Sequence, residues 1–90
     1  MRTDIVEEER YLLGSILEGN TGFDEVVDTF TTRDFSDRAH RLIFERMADL
    51  YHRGELIDRV TVASELMLNG ELARCGGLYY LVELSEGEQL

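Results

Sequence analysis

Two histidines and a single cysteine are the side chains of this 90-residue chain that are best suited to nucleophilic or metal chemistry. His40 falls on the apolar stripe of a predicted helix, where it could be a metal ligand, a general base or a core residue hydrogen-bonded to a neighbouring loop. Because no other type of metal ligand clusters with it in the sequence, we favour the core role. His52 falls on the polar face of the same helix and is expected to be solvated.

Cys75 would form a nucleophile pair with a histidine only if the fold brought the two side chains together, and nothing in their spacing indicates this. A buried or loop cysteine without a chemical role is the favoured interpretation. As the single cysteine of the chain, it excludes an internal disulfide and is compatible with a reducing compartment. A cytoplasmic location is therefore expected.

The acidic residues include two clusters, one at Glu7–Glu9 and one made up of Asp24, Glu25 and Asp28. Such clusters can bind a metal ion or perform acid–base chemistry. Both clusters fall on the outward faces of predicted helices, and acids in a first turn also interact favourably with the helix dipole. We therefore expect solvated carboxylates, and we predict no catalytic residue, no metal site and no cofactor.

The charged residues exclude several functions. All nine basic residues are arginines, so the lysine that a P-loop places on nucleotide phosphates, or that a Schiff-base enzyme uses as its amine, is absent. A net charge of −10 opposes binding to a nucleic-acid backbone, so a protein partner fits better. No run approaches the ~18 apolar residues of a membrane span, and the acidic N-terminus is not a signal peptide.

The first half of the chain carries helical patterns separated by glycine stops. A capping box of Asp4 and Glu7 opens a predicted helix that ends at Gly19-Asn20, and Gly14 inside it indicates that another backbone passes close by. Thr21 and Asp24 are expected to open a short second helix, whose apolar face consists of Val26, Val27 and Phe30. The segment "TTRDFSD" then breaks the pattern.

Two further helices follow. The longer one begins at Asp37 and ends at Gly54, and its inward stripe is predicted to contain His40, Ile43, Phe44, Met47 and Tyr51. Thr61 is the predicted N-cap of the next helix, which ends at Asn69-Gly70. Its inward residues are expected to be Val62, Leu66 and Met67.

The stretch "GELARCGGLYYLVEL" is ambiguous between strand and helix. Tyrosine and valine favour a strand weakly, but no partner strand or hairpin signal is present, so we expect a helix that starts at Gly76 or Gly77. Leu78, Leu81, Val82 and Leu84 can then reach a core. The chain is thus predicted to be one all-α domain, a compact bundle of about five to six short helices over residues 1–85, followed by the start of a linker or tail at 86–90.

These segments together resemble the N-terminal domain of the DnaB-type replicative DNA helicases. The resemblance covers about Glu7 to Leu84 and rests on "EEERYLLGSIL", on Asp34-Phe35 before "HRLIF", on "GELIDRVTVASEL" and on the paired glycines before Tyr-Leu. No single motif is specific, but their order and spacing are. The positions that it marks as motif or core residues are Leu13, Gly14, Phe35, His40, Ile43, Phe44, Asp58, Thr61, Gly76, Gly77 and Leu81.

The resemblance implies an all-α head in the collar of a hexameric ring, whose partners are primase, other helicase subunits and a helicase loader. ATP hydrolysis would belong to a RecA-like domain elsewhere in a full-length member. Arg10 and Tyr11 depart from the family pattern, which commonly has glutamine and a small residue there. Tyr79, Tyr80 and Val82 are predicted to lie at an interface with a following hairpin or a neighbouring subunit.

Two other functions stay open from the sequence. One is a stand-alone adaptor or inhibitor, for example from a mobile element, that mimics this domain to bind a replication protein. The other is an unrelated small helical enzyme, which lacks support because no catalytic groups converge in the pattern.

Overall fold

The computed structural model describes the backbone of residues 2–86 and the side chains of residues 5–86. Within that part of the chain there are four α-helices, α1 (Arg2–Leu17), α2 (Arg38–His52), α3 (Arg59–Leu68) and α4 (Gly77–Glu86). The connecting segments contain 3-10 turns at Phe23–Glu25, Thr32–Asp34 and Ala73–Cys75. No described residue forms a strand, so the all-α prediction is confirmed, whereas a count of five to six helices is too high.

Helix α1 supplies one wall of the core through Leu13, Ile16 and Leu17 and packs mainly against α4. The helix already includes Arg2, so it does not begin at Asp4, whose side chain lies outside the described ones. Gly14 is buried inside α1.

The predicted second helix is only a 3-10 turn, and Thr21 does not cap it. The turn follows Gly22, while the hydroxyl of Thr21 lies 2.7 Å from that of Ser15 at the end of α1. Phe23 and Val26 are nevertheless buried. A polar capping pattern therefore occurs here without a full helix after it.

Helix α2 begins as predicted, because the carboxylate of Asp37 accepts hydrogen bonds from the N–H groups of Ala39 and His40. The residues that α2 buries are His40, Ile43, Phe44, Met47 and Leu50. Tyr51 was predicted on this stripe but is exposed. Leu50 takes the inward position, and the ring of Tyr51 packs at the edge of the core with its centroid 5.3 Å from that of Phe23.

The N-cap of α3 is Asp58 and not Thr61, which corrects the prediction. The Asp58 carboxylate accepts from the Thr61 N–H at 2.8 Å, and the Thr61 hydroxyl accepts from the Asp58 N–H at 2.9 Å. Two backbone donors are thus satisfied reciprocally. Val62 and Leu66 are buried as expected, but Met67 is 63% exposed.

Helix α4 begins at Gly77, directly after Gly76, and both glycines have positive φ angles, +93° at Gly76 and +76° at Gly77. A left-handed pair of this kind reverses the chain between the last 3-10 turn and the helix. Leu81 and Leu84 are buried as predicted. Leu78 was also predicted to reach the core, but it is 51% exposed.

The core lies between α1, α2, α3 and α4 and is extended by aromatic rings from the connecting segments. Phe44 in α2 packs between Phe23 and Phe35, with centroid distances of 5.1 and 4.9 Å. No helix of the described chain has both the length and the apolar character needed to cross a membrane.

Candidate functional site

His40 is fully buried, and each of its ring nitrogens has a partner in a different helix. Nδ1 lies 2.8 Å from Oε1 of Glu9 in α1, and Nε2 lies 2.6 Å from the hydroxyl of Tyr80 in α4. The rings of His40 and Tyr80 are nearly parallel, with centroids 5.9 Å apart. We refer to Glu9, Arg10, His40 and Tyr80 as the buried polar network.

Glu9 is only 6% exposed and is held as a carboxylate by several donors. Its Oε2 accepts from the N–H of Ser36 at 2.7 Å and from the Ser36 hydroxyl at 2.9 Å, and Oε1 accepts from the Asp37 N–H at 3.4 Å. Burial by itself raises the pKa of Glu9, but the hydrogen bonds from Ser36, His40 and Asp37 outweigh it and lower that pKa overall.

Arg10 completes the network at Tyr80. Its Nη1 donates to the Tyr80 hydroxyl at 3.3 Å, and its guanidinium carbon lies 5.5 Å from the centre of the Tyr80 ring. Burial raises the pKa of Tyr80, so the hydroxyl keeps its proton at neutral pH.

Counting donors and acceptors assigns the protons of the network. Glu9 only accepts, so His40 Nδ1–H donates to it. The Tyr80 oxygen already accepts from Arg10, and its own proton needs an acceptor, which His40 Nε2 supplies when it carries no proton. We therefore assign the proton of His40 to Nδ1, an arrangement in which these donors all find acceptors.

This network connects helices and does not form a catalytic centre. His40 has no solvent exposure and both nitrogens are engaged, so it cannot reach a substrate. The prediction of a core histidine is confirmed, but its partners belong to α1 and α4 and not to a loop.

Glu9 was expected to be solvated, and that expectation is wrong. The available signal was its position one helical turn before Leu13, on the same stripe as that core residue. A carboxylate on one apolar stripe and a histidine on another together indicate a buried pair.

Cys75 and His52 take no part in this network. Cys75 is buried with its Sγ 3.8 Å from the Ala39 carbonyl oxygen, and burial raises the pKa of its thiol to about 11. Such a thiol is a poor nucleophile at neutral pH. His52 is exposed, with Nδ1 2.7 Å from the Ala48 carbonyl oxygen.

The second acidic cluster lies apart from this network, and Asp24, Glu25 and Asp28 are all exposed. Among the residues that the structure describes, no three histidine, cysteine, aspartate or glutamate side chains come together as metal ligands would.

The family positions occupy the interior and the helix ends. Leu13, Ile43 and Leu81 are completely buried, and Phe35 and Phe44 are nearly so. The remaining motif positions are Gly14 inside α1, the cap residues Asp58 and Thr61, and the turn residues Gly76 and Gly77.

The three predicted interface residues lie in different environments. Tyr79 is 77% exposed, Val82 is partly buried, and Tyr80 uses its hydroxyl inside the buried polar network. An interface at these residues stays a prediction, and only Tyr79 offers a whole side chain to it. Sequence reasoning did not single out the exposed Leu56, Val60 and Leu68, which lie off the inward stripes.

Comparisons with known proteins agree with this architecture. Residues 2–89 match the family model described as DnaB-like helicase N terminal domain. A solved structure, the N-terminal domain of DnaB helicase from Mycobacterium tuberculosis, is 38% identical, with a TM-score of 0.82 over 87% of this chain and 56% of that one.

Curated relatives show the same similarity. The replicative DNA helicase DnaB of Buchnera aphidicola subsp. Schizaphis graminum is 36% identical over 81 residues, which are 90% of this chain and 17% of that protein. That of Mycobacterium leprae is 40% identical over 73 residues, which are 81% of this chain and 12% of that protein. The chain therefore spans less than a fifth of these relatives and belongs to the family of DnaB-like helicase N-terminal domains.

Proposed function

We propose that this chain acts as the collar domain of a hexameric replicative DNA helicase, where it mediates subunit association and docks primase during DNA replication in the cytoplasm. The observation that carries this proposal is the similarity over nearly the whole chain to a solved DnaB N-terminal domain, in sequence and in fold. A helicase loader is a further candidate partner. ATP-dependent strand separation would belong to another domain of a full-length protein.

The physical properties of the domain support a role in binding proteins. Its net charge of −10 repels the phosphate backbone of DNA. His40 and Cys75 are buried, and the hydroxyl of Tyr80 is hydrogen-bonded inside the domain. Several large apolar side chains are exposed instead, including Val60, Met67 and Tyr79. The proposal requires no cofactor and no catalytic residue in this domain.

Light scattering coupled to size-exclusion chromatography tests the proposal. The 90-residue chain is mixed with the primase, and separately with the helicase subunits, encoded by the same genome. We expect co-elution with primase at micromolar concentrations and a mass equal to the sum of the partners. Elution of every component at its own mass in both mixtures would overturn the proposal.

A further inference from the structure

One surface of the domain combines exposed apolar side chains from α3 and α4. We call it the α3/α4 face and define it by Val60, Met67, Leu78, Tyr79 and Val82. Val60 is 68% exposed, and Met67, Leu78 and Tyr79 are also exposed, while Val82 is partly buried. Large apolar groups at this density on one side of a small domain indicate a binding surface.

An ion pair fixes how the two helices lie side by side. Arg59 at the start of α3 donates from Nη1 to the Ser85 hydroxyl at 3.0 Å and lies 3.4 Å from a carboxylate oxygen of Glu86 at the end of α4. Since α3 and α4 also pack against each other, they run antiparallel. The end of α3 therefore lies beside the start of α4.

Helical spacing then places apolar side chains of both helices along one groove between α3 and α4. Positions four residues apart lie on one face of a helix, so Arg59, Ala63 and Met67 form a row on α3, and Leu78, Val82 and Glu86 form a row on α4. The contact of Arg59 with Glu86 joins the two rows at one end. Met67 and Leu78 consequently flank the same groove at the other end.

The charges near Arg59 and Glu86 indicate what kind of partner fits the α3/α4 face. A cleft of about 450 Å³ lies there, lined by Leu17, Glu18, Asp58, Arg59, Val60, Ser85 and Glu86. Its three carboxylates face a single arginine, which is already bound to Ser85 and Glu86. A second copy of this chain, also with a charge of −10, would bring like charges together at this face.

We propose that the α3/α4 face binds an amphipathic helix of a partner protein, with apolar residues along one side and arginine or lysine residues beside them. The apolar side packs along Met67, Leu78 and Val82, and a basic side chain enters the cleft beside Asp58 and Glu86. This inference rests on the proposed function, in which the domain docks proteins, and adds the surface and the chemistry of the docked segment.

A synthetic peptide of this chemistry tests the surface directly. The probe is an 18-residue helix with leucines at positions three and four apart and arginines on both flanks, titrated into the 90-residue chain and followed by fluorescence anisotropy. The double substitution Met67→Gln and Leu78→Gln should weaken binding about tenfold. Leu68→Gln, an exposed leucine next to Met67 but off the row, should leave binding unchanged.

Other results would overturn the inference. Equal binding of a scrambled, non-amphipathic peptide of the same charge would show that electrostatic attraction alone is responsible. Self-association of the chain that is lost with the same double substitution would show that a second copy covers the face. Binding of primase that is unaffected by the double substitution would contradict this surface while leaving the proposed function intact.

Discussion

A histidine without solvent exposure needs a partner for each ring nitrogen, and His40 obtains them from α1 and α4. Glu9 and Tyr80 in turn are held by Ser36 and Arg10. The side chains of the buried polar network thus tie the first and last helices to the central one. Removal of Glu9 or of the Tyr80 hydroxyl leaves a buried ring nitrogen of His40 without a partner, which costs more than the bond alone contributes.

Tyr80→Phe should destabilise the domain by about 1–3 kcal/mol, because the substitution leaves His40 Nε2 buried without a donor. Urea unfolding followed by circular dichroism measures the change. The matched control is Tyr79→Phe, which removes a hydroxyl from the neighbouring, exposed tyrosine and should change the unfolding free energy by less than about 0.5 kcal/mol. Equal effects of the two substitutions would contradict the role of the network.

Glu9→Gln should change how stability depends on pH. The pKa of Glu9 is lower in the folded state than its ordinary value, so the carboxylate stabilises the fold above the ordinary glutamate range. This contribution is lost as the pH falls through that range to the lowered folded pKa. The stability difference between the unmodified chain and Glu9→Gln should therefore be largest near neutral pH and shrink in acid.

Unfolding free energies measured from neutral to acidic pH test this expectation. Glu8→Gln, an exposed neighbour, removes the same charge from the same turn and serves as the control. A difference between Glu9→Gln and the unmodified chain that stays constant across the range would contradict the assigned ionisation of Glu9.

The burial of His40 could be predicted from the sequence, but its partners could not. Its position on the stripe with Ile43 and Phe44 indicates an inward side chain. Which acceptors meet it depends on the rotation of α1 and α4 about their axes, which a periodic pattern does not determine. Of the three consecutive glutamates only Glu9 is buried, and its position one turn before Leu13 does not specify His40 as its partner.

At the scale of elements, the ends of the helices are set by local chemistry. Asp37 and Asp58 cap α2 and α3, and glycines with positive φ end α1, α2 and α3 or precede α4. Turns of this kind stop a helix without a large energetic cost because glycine has no Cβ. The connections from α2 to α3 and from α3 to α4 are short, whereas the longer one from α1 to α2 contributes Phe23 and Phe35 to the core.

Gly76→Ala should be more disruptive than Gly77→Ala. Both positions have positive φ, so alanine is strained at either by about 1–2 kcal/mol. A Cβ on Gly76 would also lie 2.9 Å from the Cβ of Tyr80, whereas one on Gly77 would have no neighbour within 4 Å. We expect an additional loss of about 1–3 kcal/mol for Gly76→Ala alone. Thermal unfolding of both variants measures it, and equal melting temperatures would contradict the close packing of the turn on Tyr80.

Hydrophobic periodicity predicted where α2, α3 and α4 lie in the sequence. It predicted less reliably which residue caps a helix and which residues at the margin of an apolar stripe are buried. Asp58 and Thr61 are both good caps three residues apart, and only their reciprocal hydrogen bonds decide which one precedes the helix. Tyr51 and Leu50 are both plausible inward residues, and in the structure Leu50 is buried while Tyr51 packs against Phe23 at the edge of the core. The segment after Gly22 carries cap-like residues and apolar residues at helical spacing, yet it forms only a 3-10 turn at Phe23–Glu25.

At the scale of the whole molecule, the net charge and the exposed apolar side chains both favour a protein partner. A chain with a net charge of −10 and no lysine, which belongs to the family of DnaB-like helicase N-terminal domains, is suited to contact proteins, as the proposed function requires. The buried polar network and the packed rings of Phe23, Phe35 and Phe44 maintain the fold. The α3/α4 face is exposed and can contact a partner.

Titration of the isotope-labelled 90-residue chain with the primase of the same genome, followed by nuclear magnetic resonance, tests most directly whether this domain docks a replication protein. The account predicts saturable changes in the amide signals, with residues of the α3/α4 face affected most and the core residues around His40 affected least. A spectrum that stays unchanged at several-fold excess of a primase shown to be active would contradict it.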